Sequence, residues 1–150
     1  MGTRSLTRFM EDGKVIAVLY GQYDGYVTGH GRDLARVLSG HRMVNGLRGG
    51  SEPVFNGVGC LAAQVTAALK DGPGGYYLYS PDREDEEYTY DLEVRTTPGR
   101  FGLVGLDPEP EIQVSVRAYG NTVFTGPHSE FVQWAFLEES EDDEDLEENR

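Results

Sequence analysis

The sequence predicts an α+β domain: an antiparallel-rich sheet of five to seven strands packed by two main helices. Three observations carry this. Tyr88 to Arg95 and Ile112 to Ala118 alternate apolar and polar residues with the two-residue period of half-buried strands. Arg32 to Ser39 and Val58 to Lys70 instead place apolar residues at the helical spacing. Finally, 20 glycines and nine tyrosines suit a turn-rich fold with amphipathic aromatic residues at its surface.

The elements follow in order. Residues 3–20 read as a hairpin, with Asp12-Gly13 as the tight turn and Val15 to Tyr20 as a strand covered on both faces. Asp24-Gly25 and Gly29-His30-Gly31 are expected to interrupt regular structure. Leu34, Val37 and Leu38 then mark the inner stripe of a short helix, with Arg32 and Arg36 on its opposite face. Residues 40–57 read as a long loop. Asn56 is a candidate cap for the main core helix, Val58 to Lys70, and Gly72-Pro73 terminates it. Val58, Leu61, Ala62, Val65, Ala68 and Leu69 form its broad apolar face, and Cys60 reads as small, buried packing.

Tyr76 to Tyr79 is the next strand. An acidic loop from Pro81 to Glu87, read as solvated, leads to the strand Tyr88 to Arg95. Phe101 to Leu106 suggests a further short strand. Ile112 to Ala118 and Thr122 to Thr125 form a hairpin turning at Gly120-Asn121. Ser129 to Leu137 reads as a capped helix burying Phe131, Trp134 and Ala135, with a strand as the alternative.

The chain of 150 residues has room for one domain, 1–137, followed by an acidic tail, 138–150. From Glu138 to Arg150 there are nine acidic residues and one arginine, so this stretch carries −8 of the net −13. Such a block of like charge is expected to repel itself and stay disordered. The remaining −5 is uneven. Residues 28–50 hold Arg32, Arg36, Arg42 and Arg48 against Asp33, a local +3. This balance argues against long duplex DNA as a partner but leaves room for one small anion. No apolar run approaches the roughly 20 residues of a membrane helix, no signal peptide is evident, and the single cysteine cannot form an intrachain disulfide. The expectation is therefore a cytoplasmic protein with no membrane partner.

Several short stretches carry a resemblance: Met1-Gly2-Thr3-Arg4-Ser5, Tyr23-Asp24-Gly25-Tyr26 followed by Gly29, Gly59-Cys60-Leu61-Ala62-Ala63-Gln64, and Gly74-Gly75-Tyr76-Tyr77-Leu78-Tyr79. Over about residues 1–95 the chain resembles a group of small proteins encoded by tailed bacteriophages and some bacteria. The resemblance implies a phage accessory protein acting in the host bacterial cytoplasm. Many such proteins bind host proteins or sequester nucleotide signals of antiphage defence. It brings no catalytic residues with it.

The candidate site is the glycine-rich turn and first helix. Gly29 and Gly31 could let backbone N–H groups approach a ligand, and a helix N-terminus favours an anion. Arg32 and Arg36 could add charge-assisted hydrogen bonds. Tyr23 and Tyr26 could stack on a base, with Asp24 between them and His30 on phosphate or ribose. The alternative is a tight turn with packed tyrosines and solvated arginines, and no phosphate-loop fingerprint is present. No cofactor is indicated. His30, His41 and His128 lack metal-ligand spacing, and no paired carboxylates suggest acid–base catalysis. The leading expectation is a non-catalytic protein that sequesters a small anionic nucleotide. An acidic inhibitor mimicking nucleic acid on a host defence enzyme is the second, and a hydrolase of a nucleotide signal the third. A homo-oligomer would place half of a shared pocket beyond a single chain.

Overall fold

A computed structural model describes residues 2–44, 53–95 and 111–138. The expected strand at Phe101 to Leu106, the turn at Pro98-Gly99, residues 45–52 of the 40–57 loop and the acidic tail beyond Glu138 lie outside the described residues.

The fold is α+β. Strands β1 (Ser5–Glu11) and β2 (Lys14–Gly21) form the expected hairpin. Its turn puts Asp12 at φ 47° and Gly13 at φ 85°, the paired left-handed conformations that match the twist of a two-residue hairpin. Only the second half of β2 is covered on both faces: Val18 and Leu19 are buried, whereas Ile16 is exposed. The chain then makes a five-residue π-helical turn, Val27–Gly31, that runs directly into α1 (Arg32–Leu38). Gly29-His30-Gly31 therefore extends the helix instead of interrupting it.

Residues 40–57 are not wholly a loop. β3 (Arg42–Val44) and β4 (Val54–Asn56) bracket the segment and pair in parallel as a separate two-stranded sheet. Three-residue strands are too short to show a period. The core helix α2 (Gly57–Leu69) follows. Asn56 occupies its cap position without a capping side-chain hydrogen bond, and Gly72 adopts φ 68° just past its end. Its buried stripe is narrower than expected. Val58, Leu61 and Val65 are buried, but Ala68 is exposed and Cys60 is only half-buried, its Sγ 3.1 Å from Gln64 Oε1.

β5 (Tyr76–Tyr79), β6 (Tyr88–Arg95), β7 (Glu111–Ala118) and β8 (Asn121–Pro127) complete the strands, and α3 (His128–Leu137) completes the chain as a helix. Its N-cap is Pro127, so Ser129 lies inside the first turn. The last hairpin turns at Tyr119 and Gly120, both with positive φ, because Ala118 pairs with Asn121.

The main sheet has the order β5-β2-β1-β6-β7-β8. All its pairings are antiparallel except β1 with β6. The register places Phe9, Leu19, Tyr90, Leu92, Val114 and Val116 on one face, where they pack with Leu34 and Leu38 of α1, Leu61 and Val65 of α2, and Phe131 of α3. All three helices thus share one side of the sheet.

The opposite face would strand Leu6, Val18 and Thr89, yet all three are buried. The connection from β5 to β6 crosses this face, passing over β2 and β1. It is pinned by Arg4 to Glu87 at 3.1 Å, Arg117 to Asp85 at 3.1 Å, and the Glu86 N–H donating to Thr89 Oγ1 at 3.2 Å. The acidic stretch is solvated over residues 81–85, as read, but its end forms a strap docked on the sheet by arginines, and the Glu86 side chain is only 10% exposed. Beneath it, Arg8, Asp91 and Arg117 form a line of charge across β1, β6 and β7.

Candidate functional site

The backbone of the turn satisfies itself. The N–H groups of Gly29 and Gly31 donate to Tyr26 O at 3.0 and 3.3 Å, and that of His30 donates to Asp24 O at 2.7 Å. None is left to receive an anion. The glycines answer to packing instead. A Cβ on Gly29 would strike the Asp24 carbonyl oxygen, and one on Gly31 would crowd Tyr90 Oη at 3.2 Å. Asp24 itself sits at φ 56°, in the left-handed region, and its carboxylate accepts a hydrogen bond from Tyr26 Oη at 3.1 Å. Tyr23 is exposed.

His30 is 1% exposed and faces the sheet. Its Nε2 lies 2.6 Å from Thr7 Oγ1 and its Nδ1 lies 2.9 Å from Tyr76 Oη. Tyr90 meets the imidazole edge-on at 5.0 Å, and its own hydroxyl donates to Gly25 O at 2.7 Å. Burial pushes the His30 pKa down to about 4 and the Tyr76 pKa up to about 12. A neutral imidazole with both nitrogens engaged joins the turn to β1 and β5, and it offers nothing to a phosphate.

The arginines are also committed. Arg32 donates from Nε to Ala135 O at 3.1 Å and from Nη2 to Glu138 O at 2.6 Å, so it caps the C-terminus of α3, where a cation meets unpaired carbonyls and the negative end of the helix dipole. Arg36 pairs with Asp33 at 2.8 Å and lies over the Phe136 ring at 5.3 Å. Both interactions are solvent-facing. The expected cradle of Tyr23, Asp24, Tyr26, Gly29, His30, Gly31, Arg32 and Arg36 is thus distributed over three structural tasks: a self-bonded turn, a buried polar link and a helix cap.

The residues that sequence reasoning missed here are Thr7, Tyr76 and Tyr90. One signal was present. Thr7 falls on the same alternation phase as Phe9, and a polar side chain on the core face requires a buried partner. Which partner depends on tertiary approach across 23 residues in sequence, and no local pattern encodes that.

Arginine use follows the same pattern elsewhere. Arg4, Arg8, Arg83, Arg95 and Arg117 all bridge to carboxylates of this chain. Among the described residues no helix is long and apolar enough to cross a membrane. Comparison with known protein families, with curated proteins and with solved structures gave no match.

Proposed function

We propose that this chain is a non-catalytic protein-binding module that presents acidic surface to a basic site on a partner protein, a site of the kind that otherwise receives nucleic acid. The observation that supports this most is the commitment of its cations. Arg32 places two of its donors on helix carbonyls, and Arg4, Arg8, Arg36, Arg83, Arg95 and Arg117 each pair with a carboxylate of the fold. With a net charge of −13, the outward field is therefore negative. Complementary charge of this kind speeds encounter and selects partners more than it adds affinity. The resemblance to small proteins of tailed phages agrees with an accessory inhibitor acting on a host defence enzyme in the bacterial cytoplasm. Sequestration of a nucleotide, the reading drawn first from the glycine-rich turn, is favoured less because the N–H groups of Gly29, His30 and Gly31 bond within the chain.

Displacement assays test this. The full chain is expected to displace a labelled duplex oligonucleotide from a basic defence enzyme, with displacement weakening steeply as salt rises. Heat denaturation of the protein after incubation with bacterial nucleotide extract is expected to release nothing. Release of an intact nucleotide, or displacement that ignores salt, overturns the reading.

A further inference from the structure

Edge strand β5 carries three consecutive exposed apolar side chains: Tyr77 at 43%, Leu78 at 70% and Tyr79 at 38%. Tyr77 and Tyr79 lie on the strap side of the sheet and Leu78 on the helix side, so together they wrap its rim. The rings are held in place. Tyr79 stacks on Tyr20 at 4.7 Å with an interplanar angle of 1°, Arg83 lies 4.9 Å from the Tyr79 centroid, and Lys70 lies 5.3 Å from that of Tyr77. Ordered tyrosines lose little entropy on association and are frequent interface anchors.

The two ends of the rim are partly closed to strand addition. The Lys70 ammonium occupies the carbonyls of Tyr76 at 2.7 Å and Gly74 at 2.8 Å, and Ser80 O accepts the Arg83 N–H at 3.1 Å. What the rim offers over its whole length is its exposed side chains. The charge around it is also specific. Arg83 is neutralised by Glu86 at 2.8 Å, but Asp71, Asp82 and Glu84, which flank the strand in sequence, are exposed and make no ion pair among the described residues.

We infer that the β5 rim is the docking surface for a basic partner protein, with Tyr77, Leu78 and Tyr79 as apolar anchors and Asp71, Asp82 and Glu84 meeting its lysines and arginines. An aromatic centre with a charged border is the anatomy of a protein interface. A second copy of this chain would set these carboxylates against their own kind. The inference rests on the proposed binding of a basic partner and gives that binding a place on the fold.

The test uses the full chain, isotope-labelled, titrated with a synthetic peptide alternating arginine and leucine and followed by amide chemical shifts. The largest changes are expected at residues 71–85. Leu78→Glu and the charge variant Asp71→Asn/Asp82→Asn are each expected to weaken binding about tenfold, a tenfold change being a modest loss for one anchor. Val123→Glu, on the far edge strand β8, is expected to change nothing. Shifts confined to residues 138–150, with Leu78→Glu indistinguishable from the parent, overturn the rim but leave the acidic-surface reading standing. No binding even at low salt overturns both. Rim shifts that grow with protein concentration in the absence of peptide also overturn the inference, because a second copy then occupies the surface.

Discussion

Thr7 Oγ1 and His30 Nε2 lie 2.6 Å apart inside the protein, and the other ring nitrogen of His30 is taken by Tyr76. Both partners are hydroxyls, which can donate or accept, so it is burial and not the bonding pattern that disfavours the charged ring. The folded-state pKa of about 4 is below the ordinary 6.5 because the ring is buried. The unfolded chain takes up its proton near 6.5 and the folded chain does not. The stabilisation is therefore complete above pH 6.5 and is lost as pH falls from there toward 4, by on the order of 3 kcal/mol. Urea midpoints are expected to fall across that window. His30→Gln, already less stable at pH 7, is expected to show a flatter profile; parallel profiles for the two proteins would remove the assignment.

Tyr76 transmits this link to the sheet edge. Tyr76→Phe removes the partner of His30 Nδ1 but keeps the ring. A loss of about 1–2 kcal/mol is expected, the cost of one unpaired buried group. Hydrogen exchange is expected to rise in Tyr76–Tyr79 before it rises in β6, because β5 has a neighbour on one side only. Equal exchange across the two strands would show that the link does not anchor the edge.

Arg32 is a helix cap, and its substitution should reveal that. Arg32→Ala is expected to cost about 1–2 kcal/mol, since two donors to the C-terminal carbonyls of α3 are lost. The matching readout is fraying of Trp134–Glu138 by amide exchange, with no change in the exchange of Val27–Gly31.

Under the strap, Asp91 sits between Arg8 at 3.3 Å and Arg117 at 3.5 Å. Burial raises its pKa, and the two guanidinium groups pull it back down. Asp91→Ala leaves Arg8, only 14% exposed in its side chain, without its counter-charge. A loss of roughly 2–3 kcal/mol is expected by chemical denaturation, below that of a fully buried pair because water reaches this one. Replacing Arg8 and Asp91 together with Met and Leu is expected to recover most of it.

Gly29→Ala tests the reading of the turn as structure. The added methyl meets the Asp24 backbone, which cannot withdraw without breaking the His30 N–H bond. A loss of about 2 kcal/mol or more is expected, comparable to other steric faults of the backbone. An unchanged melting temperature would show that the turn has slack.

The strands with clean alternation and the helices with a clear stripe were legible in the sequence because their periods are local. Tyr88 to Arg95 and the Asp12-Gly13 turn needed no tertiary knowledge. β3 and β4 were not legible, because three residues show no period and their pairing bridges distant segments. The candidate site reads two ways for a physical reason. Glycine beside histidine and arginine is compatible both with a phosphate cradle and with tight internal packing, and only the direction of each N–H distinguishes them. The acidic strap was legible in part: residues 81–85 are exposed, but Glu86 and Glu87 are drawn in by Arg4, far away in sequence.

The N-terminal hairpin lies inside the sheet, flanked by β5 on one side and β6 on the other. During synthesis it therefore emerges with both of its borders bare: β2 waits for Tyr76–Tyr79 and β1 for Tyr88–Arg95, both far along the chain. Premature termination before β5 would leave a sticky ribbon with two open sides, and termination between β5 and β6 would still leave one, so a cell producing such fragments should find them in aggregates or bound to chaperones.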